Sequence, residues 1–295
     1  MVVKPHESRQ PFDVLPVWSH GGYARGRRAG AASTIDSGYG VVNVGQEQLE
    51  QFEGLGWFLA PDVFTVAECD RIVGQLEAAP FELPLGAPAD GQLSYRPMLH
   101  LASEELRSVA TDQRWAGIVP PVVGPSARLY WEQGVAKPPG ARTELPWHQD
   151  NGYTPLVPEE YLTCWVALDD ADESNGCLWL MPGSHRSGTR RHYDGGSGPF
   201  RVGYDGDEQG VAAPVAKGSV LVFSSLLLHR SGPNSTERSR RAWIIQYCPA
   251  HARSALSGNL LDDRLLVAAD GVWLEEPLRQ REFDLASVLA NYDRR

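Results

Sequence analysis

Short apolar runs separated by turn residues fill the middle of the chain, from about residue 127 to residue 250. They read "ARLYWEQGVAK", "YLTCWVALDD", "CLWLMPGSH", "GSVLVFSSLLLH" and "RRAWIIQYCPA", and clusters of Gly, Pro, Asn and Asp stand between them. Such runs are typical of strands, and many of them in succession indicate a sandwich or a barrel. The pattern therefore predicts a mainly β protein.

Helical periodicity appears before these runs. In "TVAECDRIVGQLEAA" Thr65 and Glu68 have the spacing of a capping box, and apolar residues then recur every three or four positions. A second segment, "SEELRSVATD", begins with Ser103, a residue type that often caps helices. Helices are therefore expected to flank the β region.

The remaining segments lack a clear period. Residues 1–45 are rich in Gly, Ser and Arg, and we interpret them as an irregular N-terminal arm. Residues 46–295 are predicted to form a single domain. Within it, the polar, Gly-rich stretch at about 186–213 is long for a loop and is therefore expected to be functional or mobile. A C-terminal extension begins at about residue 251.

Composition and charge narrow the class of protein. The chain is 42% hydrophobic and 22% charged, as in ordinary soluble enzymes, and no apolar run is long enough to span a membrane. A net charge of −10 argues against a nucleic-acid partner and weighs mildly against a coenzyme A ester. The N-terminus lacks the apolar core of a secretory signal, and the four cysteines form no C-x-x-C pair. A cytoplasmic protein with reduced thiols is expected; its oligomeric state is not indicated.

Two His-x-Asp pairs occur, and their contexts differ. His192 and Asp194 lie in the Gly-rich stretch, which is poorly suited to hold metal ligands in fixed geometry, so this pair is interpreted as part of a plain loop. His148 and Asp150 lie in "PWHQDNGY", which leads toward strand-like sequence. On an extended strand residues i and i+2 point to the same side, which would place an imidazole beside a carboxylate.

His229 could supply a third metal ligand, because it ends the apolar run "GSVLVFSSLLLH", which predicts a buried strand. Two histidines and one carboxylate form the facial triad of non-haem Fe(II) oxygenases, which leaves coordination positions open. A turn then leads to Arg240 at the start of the next strand, one hairpin away. Its planar guanidinium is suited to the carboxylate of a metal-chelating co-substrate, whereas Arg241 should point to the opposite face.

With these residues in place, the sequence resembles the phytanoyl-CoA dioxygenase family of Fe(II)/2-oxoglutarate-dependent oxygenases. The resemblance covers about residues 50–250. It rests on four blocks in order: "KPPG", "WHQD", "NGCLWLMPGSH" and "HRSGPNSTERSRRA". Such an ordered set is far more specific than the His-x-Asp spacing alone.

The resemblance implies a double-stranded β-helix, a cupin-like jelly roll with flanking helices. It implies that Fe(II) is held by His148, Asp150 and His229, and that O2 and 2-oxoglutarate are consumed, with release of succinate and CO2. The residues implied to contact 2-oxoglutarate are Arg240, Ser231, Trp165 and, more weakly, Gln149.

The expected activity is oxidation, foremost hydroxylation, of a small or mid-sized metabolite, with cyclisation or desaturation left open. The excess of arginine over lysine, 24 to 3, suggests a GC-rich genome and hence a bacterial enzyme of natural-product biosynthesis. Substrate contacts are expected from the Gly-rich loop and from the "SYRPMLH" segment, namely Tyr95, Arg96, Met98 and His100.

Two alternatives stay open at this point. One is a cupin-like metal-dependent isomerase or hydrolase, which would use the same triad but would need neither Arg240 nor Ser231. The other is a non-catalytic binding protein of the same fold, against which the intact triad argues.

Overall fold

The computed structural model describes residues 42–79, 93–195 and 200–284. The predicted arm therefore lies outside the described residues except for its last four positions. The α-helices of the described ranges are α1 (Gln46–Leu55), α2 (Val66–Ala78), α3 (Glu104–Ala110) and α4 (Val119–Val123). The Thr65–Glu68 capping box at α2 is present, and the Ser103 hydroxyl accepts a hydrogen bond from the N–H of Leu106 in α3. Both predicted helix starts are confirmed.

Strands make up most of the remaining regular structure. In chain order, the described residues form β1 (Trp57–Ala60), β2 (Ser94–Pro97), β3 (Ala127–Lys137), β4 (Leu145–His148), β5 (Leu156–Val157), β6 (Leu162–Ala167), β7 (Leu178–Leu180), β8 (Tyr193–Asp194), β9 (Arg201–Val202), β10 (Val211–Ala213), β11 (Val220–Ser224), β12 (His229–Ser231), β13 (Arg240–Pro249), β14 (Arg253–Ser254), β15 (Leu265–Ala269) and β16 (Val272–Leu278).

Two antiparallel sheets form the jelly roll. The large sheet runs β1-β11-β6-β13-β3-β15-β16, with β2 also paired to β3, and the small sheet runs β10-β7-β12-β4. Side chains such as Trp165, Leu180 and Phe223 fill the space between the sheets. The double-stranded β-helix is thus confirmed.

The other face of the large sheet is covered by the helices. Ile72 of α2 and Leu106 of α3 belong to one buried cluster with Cys164, Trp243 and other large-sheet residues. Because side chains alternate along a strand, each strand of the large sheet sends alternate residues toward the helices and toward the small sheet. A functional residue must therefore have the correct parity to reach the space between the sheets.

The sequence suggested that residues 218–229 form one strand, but the structure divides them between two strands. Strand β11 ends at Ser224 in the large sheet, and after a turn β12 begins at His229 in the small sheet. Arg240 then begins β13, which returns to the large sheet, so the predicted hairpin between the two residues is wrong. His229 and Arg240 consequently lie on facing sheets.

Two poorly patterned segments also contain strands. The C-terminal extension contributes β15, which pairs with β3, and β16, which pairs with β15, so the extension widens the large sheet. The Gly-rich stretch contains the short strands β8, β9 and β10. Among the residues described, no helix combines the length and the apolar character required to cross a bilayer.

Candidate metal and anion site

His148 and His229 lie side by side on neighbouring strands of the small sheet. They are register partners in the β4–β12 pair, and their ring centroids lie 4.1 Å apart. The chain turns after β4, and the Asp150 Oδ1 atom reaches a point 3.6 Å from His229 Nε2. One ligand atom from each of these three residues lies within 4.8 Å of the other two, as a shared metal ion would require.

The two imidazoles are held in the same way. Nδ1 of His148 donates to the carbonyl of Pro146 at 2.8 Å, and Nδ1 of His229 donates to the carbonyl of Leu227 at 2.9 Å. These bonds assign the tautomer and leave Nε2 of each ring as the lone-pair atom. Burial, together with the neighbouring His229, holds the pKa of His148 well below its usual range. The His148 ring is therefore neutral, which is the form that binds metals.

Asp150 is oriented by two residues that sequence reasoning missed. Its Oδ2 atom accepts hydrogen bonds from the Thr163 hydroxyl at 2.6 Å and from Gln246 Nε2 at 3.0 Å. Thr163 lies two residues before Trp165 on β6, and Gln246 lies six residues after Arg240 on β13. Both share parity with residues already assigned to the pocket, and that parity is the signal that could have found them. The bonds leave Oδ1 directed toward His229.

Arg240 is a buried cation without a carboxylate partner among the residues described. Its side chain is 2% exposed, its Nε has no hydrogen-bond partner within the described ranges, and its guanidinium lies 5.5 Å from the ring centroid of Trp165. Burial lowers the pKa of Arg240 to about 10, so the group stays charged at neutral pH. Arg241 points the other way and pairs with Asp169 and Glu77. The predicted parity of the two arginines is confirmed.

Lys137 is a second buried cation at this place, and the sequence analysis missed it. It is the register partner of Arg240 across β3 and β13 and is 0% exposed. Its ammonium donates to the carbonyls of Thr143, Ser231 and Gly232. Desolvation and the neighbouring Arg240 lower the pKa of Lys137 to about 7. Ser231, itself 2% exposed, is thus tied by its backbone to the residue beside Arg240.

Gln149 does not face the pocket, which corrects the expected co-substrate contact. The alternation that sends His148 and Asp150 to one side sends Gln149 to the other. There its buried amide donates to the carbonyls of Gly188 and Leu226.

Neither His192 nor Asp194 belongs to the cluster of possible metal ligands found among the described residues, but His192 has a contact that a plain loop residue would lack. It is partly buried, and its Nε2 accepts the backbone N–H of Gln149 at 2.9 Å. Burial lowers the pKa of His192, in keeping with a neutral ring that accepts at Nε2.

The four expected substrate residues separate by strand parity. Tyr95 pairs in register with Val135, which in turn faces Ala242, so its side chain points to the same side as Arg240. Arg96 points to the helix side, where it donates to the carbonyls of Leu76 and Glu77. The structure does not support substrate contact by Arg96, because alternation directs it away from the pocket.

His100 is likewise placed on the helix side. It is 3% exposed and binds the carboxylate of Glu132, which also accepts the indole N–H of Trp243. The buried Glu132 has these donors as partners, so His100 lies in the structural core, and its placement does not support the expected substrate contact. Met98 is buried in a cluster with Tyr130 and Trp131. For Tyr95 and Met98, substrate contact stays a prediction.

His148, Asp150 and His229 lie between the sheets of a jelly roll, and Arg240, which has no carboxylate partner among the described residues, borders the same space. This combination is typical of facial-triad metal proteins that take an anionic ligand. Residues 52–242 match the family model of phytanoyl-CoA dioxygenase. The chain therefore belongs to the phytanoyl-CoA dioxygenase family.

Individual relatives agree with this assignment. The peroxisomal phytanoyl-CoA dioxygenase of Rattus norvegicus is 33% identical over 135 residues, a match that covers 42% of this chain and 40% of the rat protein. The chain thus aligns with well under two thirds of that relative's length.

Two solved structures share the fold. The epimerase SnoN, determined with Fe3+, alpha ketoglutarate and nogalamycin RO, has a TM-score of 0.62 at 23% identity and covers 81% of this chain and 96% of its own. The carbocyclase SnoK from nogalamycin biosynthesis also has a TM-score of 0.62 at 23% identity, with coverages of 81% and 97%.

Proposed function

We propose that the protein is an Fe(II)/2-oxoglutarate-dependent dioxygenase that oxidises a small or mid-sized metabolite. One observation carries the proposal: the His148–Asp150–His229 cluster and Arg240, a buried guanidinium with no carboxylate partner in the described part of the chain, border the same space between the sheets. His229 packs against Phe223 and Arg240 lies over Trp165, and both aromatic residues belong to one buried cluster. Burying an unpaired charge is costly, so a fold that keeps one is expected to pair it with a ligand. An anion that also chelates the metal meets both requirements.

The residues present fit the metal. His148 Nε2, His229 Nε2 and Asp150 Oδ1 would hold Fe(II), and the hydrogen bonds behind each ligand fix its orientation. When bound, the metal supplies the activation of O2 that couples decarboxylation of 2-oxoglutarate to oxidation of the substrate. The remaining tasks fall to the side chains of this chain.

Arg240 would bind the far carboxylate of 2-oxoglutarate, and the Trp165 ring below the guanidinium would fix its plane. The Ser231 hydroxyl would add a hydrogen bond to the same carboxylate. Burial of Arg240 and Ser231 excludes water, which strengthens each of these charged interactions. Lys137 directs its amino group at backbone carbonyls rather than into the pocket, and with a pKa of about 7 it is only partly charged at neutral pH.

The site itself leaves the substrate open. SnoN is an epimerase and SnoK a carbocyclase of nogalamycin biosynthesis. Their similarity to this chain supports a natural product as substrate, and it supports epimerisation or ring closure as alternatives to hydroxylation. The net charge of −10 supports a partner that is not a nucleic acid. All four cysteines are free and buried, which supports a cytoplasmic location.

The rival classes explain less of the site. A cupin-like isomerase or hydrolase would use the triad but has no use for Arg240 buried beside Trp165. A non-catalytic binding protein has no need for imidazole tautomers fixed so that both Nε2 atoms face one point.

The test is an oxygen-dependent assay with Fe(II) and labelled 2-oxoglutarate, in which labelled CO2 and succinate are counted. We expect the wild-type protein to form both, even slowly without substrate. His148→Ala and His229→Ala should abolish this turnover, whereas His251→Ala, at an exposed histidine outside the site, should not. Absence of succinate from the metal-loaded wild-type protein would overturn the proposal.

A further inference from the structure

The Gln149 side chain, 0% exposed, connects the metal-ligand turn to another part of the chain. Its Nε2 donates to the carbonyl of Gly188 at 2.9 Å and to that of Leu226 at 2.6 Å. Its Oε1 accepts the backbone N–H of Arg190 at 2.7 Å. All of its hydrogen-bonding groups are therefore engaged, and none is directed at the pocket between the sheets.

His192 makes a second connection to the same turn. Nδ1 of His192 donates to the carbonyl of Arg190 at 2.9 Å, which leaves Nε2 to accept the N–H of Gln149 at 2.9 Å. The ring is thus held at both nitrogens. A third connection runs from Asn151 Nδ2 to the Thr189 hydroxyl at 2.6 Å.

Gly152 shows how closely the two segments approach. A Cβ atom at this position would lie 2.1 Å from Cε1 and 2.2 Å from Nδ1 of His192, which is closer than real Cβ atoms come to other heavy atoms. Only glycine leaves room for the ring. Because hydrogen bonds hold both nitrogens, the ring cannot move aside without losing them.

We propose that Gln149 and His192 are positioning residues that couple the docking of the 188–192 segment to metal binding by His148 and Asp150. The four hydrogen bonds between residues 149–151 and residues 188–192 fix the backbone on which both ligands are carried. The inference rests on the proposed metal site. It assigns a function to the Gln of the "WHQD" block and to the His of the second His-x-Asp pair.

The coupling must act in both directions. If docking of the segment strengthens metal binding, metal binding must stabilise the docked segment by the same factor. The segment contains Arg190 and Arg191, and we expect trypsin to cleave after them when the backbone leaves its docked position. Metal affinity and tryptic cleavage therefore report the two sides of one equilibrium, and neither depends on catalytic turnover.

The test compares the wild-type protein with Gln149→Met, which keeps side-chain length, and His192→Phe, which keeps the ring. Gln149→Met changes the ligand turn and His192→Phe changes the docked segment, so one variant remains informative if the other does not fold. His251→Ala serves as control. Ni(II) affinity is measured by calorimetry, and cleavage after Arg190 and Arg191 is followed with and without Ni(II).

A third variant tests the close approach. Gly152→Ala should displace the His192 ring and resemble His192→Phe in both readouts. Gly54→Ala is its matched control, because a Cβ at residue 54 would meet nothing within 4 Å.

We expect Ni(II) to slow cleavage of the wild-type segment. Each site variant should bind Ni(II) about 10-fold more weakly or worse, as loss of groups that orient metal ligands usually causes. Each should also lose the protection by Ni(II). A residue with only a structural role would lower thermal stability and leave metal affinity unchanged, and that result would overturn the coupling. Failure of the wild-type protein to bind Ni(II) would instead overturn the proposed function.

Discussion

At the scale of single residues, hydrogen bonds determine which atom of each polar side chain remains available for a metal or a ligand. His148 and His229 each donate to a carbonyl two residues earlier in the chain. Asp150 has one oxygen engaged by Thr163 and Gln246 and the other free to face His229. In the part of the chain that the structure describes, Arg240 has no such partner at Nε. The contrast between satisfied ligands and an unsatisfied cation distinguishes a binding site from a buried network.

Arg240→Met should weaken 2-oxoglutarate binding. Loss of one partner of a buried charge pair costs on the order of 2–5 kcal/mol, so the dissociation constant should rise by about 30-fold or more. Arg241→Met is the matched control on the opposite face. It breaks the pairs with Asp169 and Glu77 and should lower stability while leaving co-substrate affinity near that of the wild type. Calorimetric titration of 2-oxoglutarate into the Mn(II) form measures this, and the reverse order of effects would contradict the assignment.

The carboxylate of Asp150 should restrict the reaction to oxygen chemistry. On a bound metal, a halide would need the position that Asp150 is expected to fill, and the negative charge of the carboxylate would repel it. Turnover under labelled O2 with excess chloride should therefore give products without chlorine, analysed by mass. Labelled oxygen in the product indicates hydroxylation, and a loss of two hydrogens indicates ring closure or desaturation. A chlorinated product would contradict the expectation.

At the scale of elements, strand parity explains which assignments from sequence succeeded. Strand β4 ends at His148 and a 3-10 turn begins at Asp150, but Gln149 between them is still extended, so the predicted placement of His148 and Asp150 on one side holds. Alternation along β13 likewise separates Arg240 from Arg241. Arg96 and Gln149 point away from the pocket for the same reason, since each lies one residue out of phase with it. A motif match does not encode side-chain direction, whereas register does. The break between β11 and β12 was missed because the apolar run continues through the turn.

Three of the sequence blocks on which the family resemblance rests contact one another near Lys137. The amide of Asn234, in the "HRSGPN" block, donates to the carbonyls of Lys137 and Pro138 in the "KPPG" block. Gly176 of the "NGC" block has φ +86, and a Cβ there would lie 2.6 Å from the carbonyl of Gly232. These contacts hold Lys137 beside Arg240, and no sequence pattern showed that they would meet.

Lys137→Met should weaken 2-oxoglutarate binding while leaving metal affinity intact. The variant removes the amino group that binds the carbonyls of Ser231 and Gly232, together with the partial positive charge that Lys137 carries beside Arg240 at neutral pH. A loss of about 10-fold in co-substrate affinity is expected, by analogy with hydrogen bonds to charged groups, which contribute about 1.5–3 kcal/mol. Lys217→Met, at a partly exposed lysine paired with Asp70, is the control. Equal affinities in wild type and Lys137→Met would show that Lys137 supports only the fold.

At the scale of the whole molecule, the class of fold could be predicted from the alternation of short apolar runs and turns. The placement of the C-terminal extension could not, because β15 and β16 are specified by pairing with β3 and with each other rather than by a periodic pattern of their own. His229 and Arg240 lie on facing sheets because the chain passes from the small sheet to the large sheet between β12 and β13. This crossing also could not be predicted from the pattern of apolar residues.

Metal and co-substrate should stabilise the whole fold by mass action. A ligand at 100 times its dissociation constant stabilises the native state by about 2.7 kcal/mol, which raises the melting temperature by several degrees in a protein of this size. Adding Mn(II) and 2-oxoglutarate should raise the melting temperature of the wild-type protein, and a chelator should reverse the effect. His229→Ala should show no shift, and a full shift in that variant would place the metal elsewhere.

The most direct measurement is a crystal structure of the wild-type protein grown without oxygen in the presence of Mn(II) and 2-oxoglutarate. We expect one anomalous peak bounded by His148 Nε2, Asp150 Oδ1 and His229 Nε2. The 2-oxoglutarate should chelate that metal and extend its far carboxylate to Arg240 above Trp165. Metal bound at His192 and Asp194 instead, or a co-substrate whose carboxylate avoids Arg240, would contradict the proposed site.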